Sequence, residues 1–515
     1  MNKQQEAEYI FAKALLDELE PKDWTKETYE RLKEGYLQGK VSYETWQRYV
    51  SENNKIEDVE AKHKREIKYE FLNLISGKFK DWAEATELLT KYVLERVKIF
   101  TTKDDVRSEM WVYNEGVYTP QGKSEVKKIL RGLLEEQYSS YIYSKVVDKI
   151  EPDTFIEAEK FFGVNYKEEV PVENGILNIM TLELSPFDEE KIFFNKLPVR
   201  FDPSAECPRI EEFLGEVLAN EDDVRVFYEL VGFSLLKEYT YEKAFMLVGG
   251  GRNGKGKSIE LIKRLLGVQN CSAIPLGSLL PESFSISELF GKFVNIAADI
   301  GNQDLKDSST FKSLTGRDLI NGKRKFQRDV SFENYAKLIF ACNELPMVYD
   351  LTRAFWDRWV LLEYPFTFVT QEEYDATENK ESLKIKDDNI ISKISTPGEL
   401  SGLLTQALMG LHRLIKSKKF SVTRGTEEVK STWIRKSNSF IAFCYDCLEE
   451  CSEGFISKKD VRKKYSEFCK QHTVPSKSDF VIKKAMQDLY GALEERKEFG
   501  PSCWDWVWTG VKWKE

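Results

Sequence analysis

The chain has 515 residues, long enough for roughly three to five folding units rather than one core. At 41% hydrophobic, 31% charged and 13% aromatic residues it can fill packed cores, which excludes a disordered protein. No apolar run reaches the ~18 residues that span a bilayer, and the start MNKQQEAEYIF carries acids where a secretory signal needs a basic then an apolar stretch, so a cytosolic protein with no membrane contact is expected.

Eight scattered cysteines fit reduced thiols better than a disulfide framework. The net charge of −10 argues against a protein coated with nucleic acid, but it hides an asymmetry. From Leu411 to Glu515 there are 21 basic and 15 acidic residues, or +6, which leaves −16 for residues 1–410. A cationic module on an acidic body is expected, although the same runs also suit solvated helix faces.

Residues 1–100 show apolar residues three or four apart and predict a helical domain of unknown role. A small α/β domain is expected over 101–205, opening with aromatic and β-branched residues around Asn114-Glu115-Gly116, a hairpin signal. A larger α/β domain follows over 206–410, and a basic C-terminal domain over 411–515. The charged stretch from Asp375 to Gly402 looks like an insertion or linker.

The strand AFMLV runs into GGGRNGKGKS and then an amphipathic helix ending at Gly267. Gly251, Arg252, Asn253, Gly254, Lys255, Gly256, Lys257 and Ser258 fit the phosphate-loop pattern G-x-x-x-x-G-K-[ST]. In such a loop backbone N–H groups turn toward phosphate oxygens at a helix N-terminus. Lys257 is expected to reach the β- and γ-phosphates of ATP, and the Ser258 hydroxyl to ligate Mg²⁺.

The next apolar strand, FVNIAADI, ends in Asp299, expected beside the phosphate-loop strand as the metal acid or the base. A third strand, AKLIFACNELP, carries Asn343 where it could orient the attacking water. AFWDRWVLLEYPF adds Arg353 and Arg358, either of which suits delivery of a fixed charge to phosphate, and either of which also suits an internal ion pair. Between the second and third strands, Lys323, Arg324, Lys325, Phe326 and Arg328 combine charge with an aromatic, suited to phosphate contact and base stacking.

In order, the phosphate loop, the acid-ended strand, FKSLTGRDLINGKRKFQ, the Asn-ended strand and FWDRW resemble the superfamily III helicases of viruses, phages and plasmids. More narrowly they resemble the phage and plasmid primase-helicase group related to the poxvirus primase-helicase, over about residues 108–515. That resemblance implies an AAA+-type, ATP- and Mg²⁺-dependent motor, usually a hexameric ring, moving 3′ to 5′ on DNA in replication of a mobile element. It also implies Lys257 and Ser258 as the Walker A pair, Asp299 as the Walker B acid, Asn343 as sensor 1 and Arg358 as arginine finger. Residues 323–328 fall on the hairpin that enters the ring channel, and the basic end falls on a winged helix for duplex DNA.

Relatives often carry a primase with paired acids, and no Asp-x-Asp on a strand is found here, so primer synthesis is expected from a separate partner. Cys444, Cys447, Cys451, Cys469 and His472 admit a zinc reading, but their spacing in FIAFCYDCLEEC suits buried thiols on a helix. Trp504, Trp506 and Trp508 alternate as core or wing packing would. A reading from another class is an assembly protein that uses ATP as a switch and does not unwind.

Overall fold

The computed structural model describes residues 60–76, 80–103, 108–163, 166–279, 284–298, 308–323, 330–348, 350, 352–422, 424–472, 474, 476–498 and 504–514. They form a multidomain α/β protein divided into two compact units, one ending at Gly163 and the other holding the rest of the chain.

In the first unit, β1 (Ile99–Lys103), β2 (Ser108–Asn114) and β3 (Val117–Thr119) make a three-stranded sheet. Glu115 and Gly116 take φ of 44° and 97°, the positive values that a tight hairpin between right-twisted strands requires, as the Asn-Glu-Gly signal led one to expect. Leu89 and Val93 of helix Trp82–Leu94 share a core with Met110 of β2, Val126 and Leu130 of Gly122–Leu134, and Val146 and Ile150 of Ser140–Asp153. The boundary expected at residue 100 therefore falls inside a core. The apolar stripe of helix Trp82–Leu94 is covered by elements on the far side of that boundary.

The second unit opens with β4 (Glu169–Val172), β5 (Gly175–Asn178) and β6 (Leu184–Ser185), an antiparallel sheet. Val170, Val172, Leu177 and Leu197 pack into the core that also holds Phe245 and Leu247, so no boundary separates the halves at 205. In sequence follow β7 (Ala244–Val248), β8 (Cys271–Ser272), β9 (Val294–Ala297), β10 (Leu319–Gly322), β11 (Val330–Glu333), β12 (Lys337–Cys342) and β13 (Trp359–Glu363).

Five of these form one parallel sheet in the order β13-β7-β12-β9-β8. Strands covered on both faces must be apolar throughout, and β7 is buried at all five positions. Alternate residues enter opposite cores: Phe245, Leu247, Ile339 and Val360 on one side, Met246, Val248, Leu338 and Phe340 on the other. β12 lies between β7 and β9, so the strand leading to Asp299 is not beside the phosphate-loop strand as expected; the Asn343 strand takes that place. β10 and β11 pair antiparallel outside this sheet, Gly322 opposite Val330.

Helix Pro397–Ser417 lies along helix Glu221–Leu235 so closely that a Cβ on Gly232 would stand 2.1 Å from the Ala407 carbonyl oxygen. Thr396 caps it by accepting from the Glu399 N–H, and its apolar stripe continues unbroken through Leu411 and Leu414. Trp433 of helix Thr426–Ser437 is fully buried in the other core, its Nε1 donating to the Pro346 carbonyl at 2.8 Å.

Residues 411–437 thus pack with the parallel-sheet body, and the boundary expected at 411 falls near 438. A separate core begins at Phe440. It joins helices Ser439–Cys447, Lys458–Gln471 and Asp479–Tyr490 to β16 (Leu448–Ser457), β17 (Glu494–Glu498) and β18 (Trp504–Trp513), paired β16-β18-β17. Cys444 and Cys469 lie in this core as small apolar side chains. Trp508 is buried there, whereas Trp504 and Trp506 are about half exposed, at 55% and 49%. No helix among the described residues is long and apolar enough to cross a membrane.

Candidate functional site

The loop between β7 and helix Lys255–Leu266 sits at the carboxyl edge of the parallel sheet, where ligands of open α/β folds bind. Two glycines are fixed by close approach. A Cβ on Gly249 would stand 2.2 Å from Asn253 Nδ2 and 2.4 Å from the Tyr364 carbonyl oxygen. Gly254, at φ +89°, caps the helix in the left-handed region, and a Cβ there would meet Val217 Cγ1 at 2.5 Å. Asn253 is buried and donates to the Tyr364 carbonyl at 3.4 Å. Among the described residues none accepts from the backbone N–H of Gly251, Arg252, Gly254 or Gly256, which leaves a row of donors at a helix N-terminus.

The helix starts at Lys255, and this decides which lysine faces inward. Lys255 is buried, at 7% exposure, and its Nζ donates to the carbonyls of Gly249 (2.6 Å) and Gly250 (2.9 Å), to Asn253 Oδ1 (3.2 Å) and to Asn343 Oδ1 (3.2 Å). Lys257, the lysine expected from the motif, lies on the first turn with its side chain half exposed and its Nζ 3.4 Å from Glu260 Oε2. Two residues are about 200° around a helix, so the two lysines cannot share a direction. Ser258 is fully buried, with its hydroxyl beside that of Tyr364.

Asn343 stands one residue past β12 and reaches the loop through Lys255, so the structure brings these two together. Asp299 lies outside the described residues, two positions beyond β9. Lys323 follows β10 directly and is exposed, while Arg324, Lys325, Phe326 and Arg328 lie outside the described residues, in the connection between the paired strands β10 and β11.

Arg358 is turned inward, with its side chain only 15% exposed. Its guanidinium donates to Thr315 Oγ1 (2.9 Å), the Ala354 carbonyl (2.5 Å) and Glu242 Oε2 (3.0 Å). Arg353 is 84% exposed, and its Nε donates to Asp357 Oδ2 on the next turn at 3.3 Å.

The segment after β13 was not expected to take part. β14 (Thr367–Val369) pairs in parallel with β15 (Leu383–Ile385), and helix Gln371–Ala376 between them opens with a reciprocal cap of Thr370 and Glu373. Arg252, at φ 57°, accepts from the Phe368 N–H at 2.6 Å through its carbonyl. Its guanidinium donates to both Glu373 oxygens at 2.9 and 3.0 Å, which holds that carboxyl below the usual range.

Residues 48–219 match the family model described as D5 N terminal like, and residues 247–355 match a family of unknown function, DUF5906. Over 233 residues the chain is 24% identical to "Putative helicase 121R" of Invertebrate iridescent virus 3, covering 42% of this chain and 24% of that protein. It is 22% identical to "Putative helicase V13" of Sputnik virophage, covering 58% of this chain and 39% of the relative. It is also 22% identical to "Putative helicase L207/L206" of Acanthamoeba polyphaga mimivirus, covering 58% and 31%. The matches span about a quarter to two-fifths of these relatives' own lengths. The solved NrS-1 C terminal region is similar at 13% identity and TM-score 0.41, over 82% of this chain and 98% of that one. The resemblance to the primase-helicase group read from the motif order is borne out by the D5 match and these relatives.

Proposed function

For a chain with a D5 N-terminal-like region and helicase-named viral relatives, we propose an ATP-driven DNA helicase of AAA+ type in replication of a phage, plasmid or genomic island. The observation that carries this reading is the Lys255 ammonium, held among loop carbonyls and Asn343 at a helix N-terminus whose N–H donors meet no acceptor among the described residues. A buried cation beside converging amides is what a triphosphate needs, and Asn343 from the adjoining strand supplies a polar group that can orient water. Lys255 rather than Lys257 is then the phosphate lysine, and Gly256 stands where such loops carry a metal-binding hydroxyl. Mg²⁺ would neutralise phosphate charge, held by Asp299 and the nucleotide's own oxygens, with the buried Ser258 as support for the loop.

Arg353 is the better placed of the two arginines for a neighbouring subunit of a hexameric ring, because Arg358 would have to abandon three acceptors. Residues 323–328 at the tip of the β10–β11 pair would grip DNA in the channel, moving 3′ to 5′. The three helices and three strands after residue 438 suit a winged helix that binds duplex DNA, including an origin. A separate primase would supply primers. The test is ATP hydrolysis with and without DNA, followed by strand displacement on a forked duplex. DNA-stimulated hydrolysis with displacement is expected. Hydrolysis without displacement on any fork polarity would leave an ATP-switched assembly protein instead.

A further inference from the structure

We propose that the cleft beside the phosphate loop seats the base and sugar of a nucleotide, with residues 367–390 as its outer wall; this rests on reading the loop as a triphosphate site. The cleft encloses about 570 Å³, within the range of small-molecule sites, and it opens onto Gly254 and Lys257 of the loop and first helical turn. Charged side chains make up much of its lining, and the apolar ones among them come from two separate elements. Phe213 and Val217, one helical turn apart on Pro208–Val217, line one side; Phe368, Ile385 and Ile390 line the other. Phe213 and Val217 are buried, so the Phe368 ring and the two isoleucines are the apolar surface open to a flat heterocycle, which gains by stacking.

Both walls are fixed to the loop itself. Val217 is pressed so close to Gly254 that no side chain fits between them. Phe368 is held by the hydrogen bond from its N–H to the Arg252 carbonyl, and the Arg252 guanidinium is held by Glu373. The residue that shapes the phosphate loop therefore also sets the position of the stacking ring.

The rim gives the orientation. Asp387 and Asp388 line the end formed by the insertion. Asp387 is tied to Lys393 and to the Asn389 N–H, Asp388 to Lys386. Carboxylates accept from sugar hydroxyls and repel phosphate, whereas the loop end offers N–H donors and a lysine. A nucleotide can satisfy both ends in one direction only, triphosphate toward Lys255 and sugar toward Asp387. Ile385, 49% exposed at the rim, is left uncovered by the chain itself.

The experiment is calorimetric titration of the full chain with Mg²⁺-ATP and with Mg²⁺-tripolyphosphate, which offers phosphates and no base. The expected result is ATP binding at least about tenfold tighter than tripolyphosphate. Ile385→Asp and Phe368→Ala should each weaken ATP about tenfold while tripolyphosphate binding survives, and Phe368→Tyr should restore the ring's contribution. Tripolyphosphate binding in each variant reports that the loop is folded. Equal affinity for the two ligands in the wild-type chain, or ATP affinity unchanged in both Ile385→Asp and Phe368→Ala, would overturn the base seat and leave the phosphate site standing. Binding of neither ligand would overturn the phosphate site and the base seat with it.

Discussion

Replacing Lys255 by alanine separates the two possible registers of the phosphate loop. Among the described residues four oxygens lie within hydrogen-bond distance of its ammonium, two of them loop carbonyls and one the Asn343 side chain. In the working site a triphosphate would compete for the same charge. Removing one preorganised donor of this kind costs about 10²–10³ in turnover, or about 2.7–4 kcal/mol. The fold should lose far less, on the order of 1–2 kcal/mol, because the stranded carbonyls lie at the mouth of the loop within reach of water. Lys257 is worth little by comparison: its partner Glu260 is three residues on along the same exposed helix face, and such pairs contribute about 0.2–0.5 kcal/mol. Steady-state phosphate release by Lys255→Ala should therefore fall at least about 100-fold with circular dichroism unchanged. Lys257→Ala should keep turnover within about tenfold, its loss appearing in KM. The opposite ranking, with Lys257→Ala dead and Lys255→Ala active, would refute the geometric argument and return the site to the register beginning at Gly251.

The arginines give a second test: Arg353→Ala mixed with Lys255→Ala should regain part of the hydrolysis that each lacks alone, whereas Arg358→Ala should chiefly lower the melting temperature, by removing the partner of Glu242 and Thr315. Changing Lys323, Lys325 and Arg328 together to alanine should leave DNA-independent hydrolysis near normal, abolish unwinding, and reduce the slope of log affinity against log salt by roughly two to three. Unwinding at the wild-type rate would make residues 323–328 a surface loop.

Burial pushes the Asp223 carboxyl up to about 6, with Arg424 opposing and Glu363 and Asp222 adding to the rise. A carboxyl whose folded pKa lies above its unfolded value favours folding most when protonated. This contribution is complete below about pH 4 and is lost as pH rises through 6. Asp223→Asn should thus be more stable than wild type at pH 7.5, by on the order of 2–3 kcal/mol, and should show little gain at pH 4. Urea midpoints at the two pH values measure the difference, and an equal gain at both would remove the carboxyl as its cause.

The phosphate loop, the strands β7, β9 and β12 and the turn at Glu115-Gly116 were legible because each is written locally, in apolar runs and glycines. The lysine register was not. GKGKS contains two glycine-lysine pairs, and the positive φ of Gly254, with the helix starting on the next residue, is the ground for proposing the first. Asn253 carried a usable signal, since an Asn-Gly-Lys run before a helix marks a turn that ends at that glycine. The sheet order was hidden because neighbours in sequence need not be neighbours in a parallel sheet, and β12 enters between β7 and β9. The wall at 367–390 was missed for a related reason: its apolar contacts, Phe368, Ile385 and Ile390, are too far apart to make a periodic pattern among so many charges. The arginine choice rested on exposure, which spacing does not encode.

The helix from Pro397 to Ser417 has a consequence for where the polypeptide can be divided. It contributes Leu403, Leu404, Leu411 and Leu414, all at 0% exposure, to a core whose other members begin at Val170. At about 1.5–3 kcal/mol per buried leucine those four side chains are worth roughly 6–12 kcal/mol, comparable with the net stability of a whole domain. A fragment cut at residue 410 would lose half of that stripe, and one begun at 206 would lose the strands that cover the body from the other end of the sequence. Both would expose leucine and valine surface and should collect in inclusion bodies. A piece running from Tyr166 to Ser437 keeps both sheet-facing cores closed and is the unit expected to be expressed, concentrated and crystallised.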